Sequence, residues 1–199
     1  MLEAIVDFVR EVSVILAFGI DGQSRAFPLA ENVHRGGILH STSAAGETAL
    51  GKPALALAEN VGRALGHVGV MAVEMFELKD GRLLVNEIAP RVHNSGHFTL
   101  GACATSQFEQ HLRAVGGLPL GSPELTTPAV MINLLGELWS VGEPRWERLL
   151  ERPNVRLFLY GKAKAAPGRK MGHFLLLGEP QDGALREAER LHGLLSAAV

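Results

Sequence analysis

Apolar runs and turn clusters divide this chain into a sequence of predicted elements. Val12 to Phe18 is a β-rich run, Gly19-Ile20-Asp21-Gly22 gathers turn formers, and Ser24 to Leu29 resumes extended character, so the chain opens on a hairpin. Pro53 at a first helical position, followed by Leu57, Val61 and Leu65 at intervals of four, predicts a helix ending near Gly66 that lays this stripe on a sheet. Val68 to Leu78 and Leu83 to Ile88 flank Lys79-Asp80-Gly81-Arg82, the pattern of a hairpin in which position 78 faces 83 and position 74 faces 87. On that register Phe76, Leu78, Leu83 and Val85 share the face of Glu74 and Glu87.

Ser106-Gln107-Phe108-Glu109 has the form of a capping box ahead of Leu112 and Val115, which predicts a helix from about 106 to Val115. Gly116-Gly117-Leu118-Pro119 ends it. After Gly121-Ser122-Pro123 the pattern changes to short β runs, Ala129 to Leu135, Val155 to Tyr160 and Gly172 to Leu177, with a Pro144-led helix between. The chain closes on a helix capped by Asp182 and carrying Leu185, Leu191, Leu194 and Leu195. The change near 121 to 126 predicts two units, 1–122 and a small β-rich 123–199. The first element begins almost at residue 1 with no strand–helix unit before it, which predicts partner strands upstream in a longer parent.

Composition narrows the function classes. Hydrophobic residues at 47%, charged residues at 20% and a net charge of -2 suit a globular protein and supply no field that would gather nucleic acid. The single cysteine, Cys103, excludes an internal disulfide and a multi-cysteine metal site, as expected in a reducing, cytoplasmic compartment. No apolar run approaches the roughly 20 residues that span a bilayer, and Glu3 and Asp7 stand where a signal peptide is basic, so no membrane partner is expected.

The candidate chemistry lies around the second hairpin. Glu74 opposite Glu87 sets two carboxylates about 4.5–5.5 Å apart at Cβ, an arrangement that destabilises a sheet unless something offsets the repulsion. Either one acid keeps its proton, or a hard cation such as Mg²⁺ lies against both and takes further oxygen from substrate phosphates, with Asn86 at hand. A register off by one would instead turn one glutamate to solvent. Next come Pro90, Arg91 and His93-Asn94-Ser95-Gly96-His97. Arginine binds planar oxyanions bidentately, glycine lets backbone approach a ligand, and an ordinary imidazole at His93 could move a proton near neutral pH. Tyr160-Gly161-Lys162 and Pro167-Gly168-Arg169-Lys170 are either a clamp for a phosphomonoester or a solvated hairpin tip. No Walker-type or G-x-G-x-x-G motif occurs. Glu11 and His34 are polar residues at strand ends.

Glu11-Val12-Ser13, Pro28 to His34, Asn86 to His97, Ser106 to His111, Ala129 to Asn133 and Pro167 to His173 together closely resemble 5-(carboxyamino)imidazole ribonucleotide synthetase, the ATP-grasp enzyme of bacterial and fungal purine biosynthesis. The resemblance covers essentially the whole chain in order. It implies an α+β fold, the C-terminal half of an ATP-grasp antiparallel sheet with packed helices, followed by a small β-rich domain. It implies a homodimer that joins bicarbonate to 5-aminoimidazole ribonucleotide using ATP. By position Glu74 and Glu87 resemble the Mg²⁺ ligands, with Asn86 beside them. Glu3, Ala4, Ile5 and Val6 resemble the adenine-binding hinge, Glu11 the ribose acceptor and His34 a further nucleotide contact. Arg91 and His93 resemble the residues that hold bicarbonate or carboxyphosphate, supported by Asn94 and Ser95, and Lys162, Arg169 and Lys170 the clamp on the ribonucleotide phosphate. Phe18 and Ala166 depart from the family pattern, standing where arginine is usual. The family's N-terminal nucleotide-fold domain and glycine-rich loop have no counterpart here, so little or no turnover is expected of the isolated chain. Two other readings are a formate-using purine ATP-grasp ligase and a non-catalytic dimerising remnant.

Overall fold

A computed structural model describes residues 4–179 and 181–195. The chain runs β1 (Phe8–Phe18), β2 (Ser24–Ala26), β3 (Ala30–Arg35), β4 (Ile38–Ala44), α1 (Gly51–Ala64), β5 (Gly69–Leu78) and β6 (Leu83–Ala89). After a 3-10 turn (Asn94–Phe98) come α2 (Thr99–Ala102), α3 (Gln107–Val115), β7 (Ala129–Leu135), α4 (Trp146–Leu150), β8 (Val155–Leu159), β9 (Lys170–Leu177) and α5 (Gln181–Leu195). The strands form one sheet in the order β6-β5-β1-β3-β4-β7-β9-β8, with β2 paired to β1, and every pairing is antiparallel. The mixed α+β character and the antiparallel sheet agree with the sequence reading. The sheet is continuous across 121–126, because β4 pairs with β7.

Strand alternation sorts the core onto two faces. Ile15, Ala17, Val70, Ala72, Met131 and Leu175 face one side, where Phe98, Ala102 and Ala114 of the 94–115 segment cover them. On the other side Val14, Leu16, Met71 and Val73 meet α1, while Ile132, Leu134, Phe174 and Leu176 meet Leu149 of α4 and Ala188 and Leu191 of α5.

The helix α1 forms where the spacing predicted, but on a different seam. Ala54, Ala58 and Gly62 are its buried residues; Leu57 and Val61 flank them and Leu65 is exposed. Small side chains let the helix axis approach the sheet, and the leucines spread to either side. In α3 Ser106 caps as predicted, accepting from the Glu109 amide, yet Gln107, Gln110 and Ala114 are buried while Leu112 and Val115 are exposed. The second hairpin keeps Glu74 opposite Glu87, but a bulge at Asn86 then pairs Met75 with Val85, Phe76 with Leu84 and Glu77 with Leu83. Leu83 therefore pairs with Glu77 rather than Leu78, and Leu84, not Leu83 or Val85, shares the acid face with Phe76.

Candidate active site

Two adjoining clefts, of about 430 and 360 Å³, share His93, Lys162 and Lys170, and the first draws residues from β3, β4, β5, β6 and β9. Glu74, Glu87 and His34 line the first together with the two lysines. Arg91, Asn94, His97 and Tyr160 line the second. A separate cavity of about 390 Å³ between Phe27–Leu29, α1 and Pro123–Leu125 includes none of these residues.

Local irregularity brings the charged side chains together. An extra residue in one strand of a pair bends it and re-aims its neighbours. Register shifts fall between Val33 and His34 against β4, at Asn86 beside Glu87, and at Met171 beside Lys170. His34, Glu87 and Lys170 each adjoin a bulge, and each lines the cleft.

The loop after β6 is held from beneath. Fully buried Gln107 accepts from the His93 amide at 3.0 Å and donates to the His93 carbonyl at 2.7 Å and to His97 Nδ1 at 2.9 Å. Asn94 and Asn133 exchange amide hydrogen bonds at 3.0 and 2.6 Å, and Asn133 also donates to the Leu39 carbonyl. Across the cleft Lys162 donates to the Lys170 carbonyl at 2.5 Å, and its ammonium lies 5.5 Å from the centre of the Tyr160 ring.

Burial sets the protonation of the groups. It raises the Glu74 carboxyl, with the Glu87 and Glu11 charges adding to the shift and His34 opposing it. Burial, then the charges of Arg91 and Lys170, takes His93 down to about 4, and burial takes His97 to about 4. Lys170 is lowered by burial, then by Arg91 and Lys162, against the pull of Glu74. Burial pushes Tyr160 up to about 12. At neutral pH His93 and His97 are therefore neutral imidazoles in clefts that also hold the two glutamates and the two lysines.

Two adjacent carboxylates are hard oxygen donors and fit a divalent cation that takes its remaining ligands from phosphate and water. Among the described residues no group of three or more His, Cys, Asp or Glu is placed to hold a metal without such help.

Of the residues singled out by sequence, Glu74, Glu87, His34, His93, Lys162 and Lys170 meet in the first cleft, and Arg91 and Asn94 in the second. Glu11 joins through His34, its Oε2 lying 2.5 Å from Nδ1. Others lie elsewhere. Asn86 is exposed on the bulge, and Arg169 is exposed and donates to the Lys164 carbonyl at 2.9 Å. Ser95 is fully buried and bonds His93 rather than lining the cleft. Ala4, Ile5 and Val6 are unpaired chain ahead of β1, with Ile5 wholly exposed, and Glu3 lies outside the described residues. Phe18 is buried beneath α1 and Ala166 is exposed. Gln107 and Asn133 were not singled out as site residues; the signal for Asn133 was a lone amide inside an otherwise apolar strand.

Comparison with known proteins identifies what the chain is similar to. Residues 1–108 match the family model described as ATP-grasp domain, and residues 129–187 match the one described as phosphoribosylaminoimidazole carboxylase C-terminal domain. The N5-carboxyaminoimidazole ribonucleotide synthase of Bacillus subtilis is 46% identical over 189 residues, covering 94% of this chain and 49% of that protein. The solved synthetase of Thermus thermophilus superposes with a TM-score of 0.87 at 43% identity, over 99% of this chain and 53% of that one. The Aspergillus clavatus enzyme, solved in complex with ADP and 5-aminoimidazole ribonucleotide, superposes with a TM-score of 0.85 at 34% identity, over 94% of this chain and 51% of that one. The chain spans about half the length of these relatives.

Proposed function

The chain belongs to the N5-carboxyaminoimidazole ribonucleotide synthase family of ATP-grasp ligases, and on that premise we propose that its cleft serves the ATP-dependent carboxylation of 5-aminoimidazole ribonucleotide by bicarbonate. The observation that carries this reading is that the Glu74–Glu87 pair, His93, Lys162 and Lys170 line one cleft, with His93 Nε2 3.4 Å from Glu74 Oε1. Two acids and two lysines in one cleft suit a nucleotide–metal complex beside a phosphorylated acceptor.

In this reading Glu74 and Glu87 hold Mg²⁺ against the ATP phosphates, where the cation supplies charge neutralisation for phosphoryl transfer. Ala4 to Val6, with Glu3, serve as the adenine-binding hinge, Glu11 accepts from the ribose, and His34 fixes the Glu11 carboxylate beside the nucleotide. A bicarbonate oxygen attacks the terminal phosphorus and ADP departs; the acceptor's amine then attacks the carbonyl carbon of the carboxyphosphate and phosphate departs. Arg91 and the Nε2 side of His93 hold the carboxyphosphate, fixed charge and dipoles acting where negative charge builds up. Lys162 and Lys170, with Arg169 at the rim, clamp the ribonucleotide phosphate, and Asn94 lines its approach. We further place the protein in the cytoplasm as a homodimer of two-unit chains, 1–122 and 123–199; among the described residues no helix is long and apolar enough to cross a membrane.

Two measurements test the reading. Calorimetric titration of the chain with Mg²⁺–ATP and with 5-aminoimidazole ribonucleotide should detect binding of the ribonucleotide that Lys170→Ala weakens. In an enzyme of family length carrying this segment, Glu87→Ala should lower bicarbonate-dependent turnover by about 10²–10³-fold, the scale of removing one electrostatic stabiliser. A near-native rate would overturn the assignment of the acid pair.

A further inference from the structure

Beneath His93 lies a polar chain that the proposed chemistry does not use. Thr42 Oγ1 donates to Asn32 Oδ1, Asn32 Nδ2 donates to Ser13 Oγ, and Ser13 Oγ donates to Ser95 Oγ, each at 2.9 Å. Ser95 Oγ lies 2.9 Å from His93 Nδ1. Thr42, Asn32, Ser13 and Ser95 are all buried, with 4% exposure at most. Asn32 and Thr42 are directly opposed across β3 and β4, and Ser13 stands two positions along β1 from the residue facing Asn32.

The direction of the chain is set at one end. The Ser95 backbone amide points at His93 Nδ1 at 3.3 Å, and a backbone N–H cannot accept. A proton on Nδ1 would oppose that N–H, so Nδ1 is an acceptor and the Ser95 hydroxyl donates to it. The Ser95 oxygen is then free to accept from Ser13, Ser13 from Asn32, and Asn32 from Thr42. With Nδ1 accepting, the neutral ring carries its hydrogen on Nε2, which lies 3.4 Å from Glu74 Oε1 in the cleft. Apolar residues at these positions would leave the ring free to turn over or to change tautomer.

We propose that Thr42, Asn32, Ser13 and Ser95 are positioning residues that act through His93, a one-way chain of donors that fixes its Nε2–H tautomer and aims that N–H into the cleft. The inference deepens the reading of His93 as an oxyanion-holding group and rests on it only for what the N–H would touch. A buried chain satisfied at every link holds orientation more firmly than a solvated side chain does.

The test is the tautomer itself. In the full chain labelled with ¹⁵N on histidine, at a pH above the ordinary imidazole range, long-range nitrogen–proton correlation identifies which nitrogen of each ring is protonated. His93→Asn assigns the signal by its loss. Wild-type His93 should be a single Nε2–H tautomer, and Ser95→Ala should shift its tautomer ratio toward Nδ1–H by roughly five- to tenfold, the effect of losing one hydrogen bond. Asn32→Asp, whose carboxylate only accepts and so draws the Ser13 proton away from Ser95, should shift it in the same direction. A wild-type ring protonated on Nδ1, or mixed, would overturn the proposal without any variant needing to fold, as would an unchanged ratio in Ser95→Ala. Failure to bind nucleotide or ribonucleotide alongside the Nε2–H form would overturn the functional reading and support this one.

Discussion

An added Cβ at Gly62 would lie 2.2 Å from Phe18 Cε2 and 2.4 Å from Cζ, so the helix–sheet approach at that point admits only glycine. Replacing a helical glycine by alanine ordinarily gains about 1 kcal/mol. Here we expect Gly62→Ala to lose about 1–3 kcal/mol by overpacking, read as a lower urea midpoint; a raised midpoint would show that Phe18 moves aside freely. Phe18 also illustrates what one residue does and does not disclose. In the sequence it stands out only as a departure from a usual arginine; in the fold it is a core residue with the Arg63 guanidinium 5.8 Å from its ring centre. The acid pair was legible because two like charges facing each other across a hairpin ask for an explanation. Ser13, Asn32 and Thr42 were not, since isolated polar residues in strands look like surface positions until the fold brings them together with Ser95.

Among the elements, α3 departs furthest from the amphipathic pattern. Its buried Gln110 pairs with Gly121 through both amide groups, accepting from the backbone N–H at 2.8 Å and donating to the carbonyl at 2.9 Å. We expect Gln110→Leu to cost about 1–3 kcal/mol by leaving those backbone groups unpaired, and Leu112→Lys, at a position 68% exposed, to change stability by less than about 0.5 kcal/mol. Denaturation curves showing the reverse order would mean that the helix is held by Leu112 after all. The hairpins were readable from alternation and turn residues. The pairing of β3 with β4 was there to be read in Gly36-Gly37, whose φ values of 56° and 77° build the turn, but two short polar strands gave no apolar alternation to flag them. The bulges left no sequence mark. A single inserted residue changes neither composition nor period, and it is what moved the tip of the second hairpin by one position.

Across the whole molecule, buried imidazoles link the cleft to stability. His93 and His97 protonate near 4 and His173 near 3 in the folded chain, each lowered first by burial, against about 6.5 when unfolded. The unfolded state therefore binds protons first, and stability is lost as pH falls from about 6.5 toward 4. Glu74 acts in the opposite sense, because its raised carboxyl takes up a proton more readily folded than unfolded. With these three imidazoles, and His40 and His192 lowered by burial in the same sense, against one raised carboxyl, we expect a net loss on the order of a few kcal/mol over that window, seen as a falling urea midpoint; a midpoint flat between those values would place the rings in contact with water. The donor chain under His93 has a consequence of another kind. It closes only when β1, β3, β4 and the turn after β6 all stand in their native alignment, and a slip of one residue in any of these strands would turn a link to the wrong side. A misassembled copy would thus leave the ring unset rather than set it part-way, so the state of one side chain reports on the alignment of three strands and a turn.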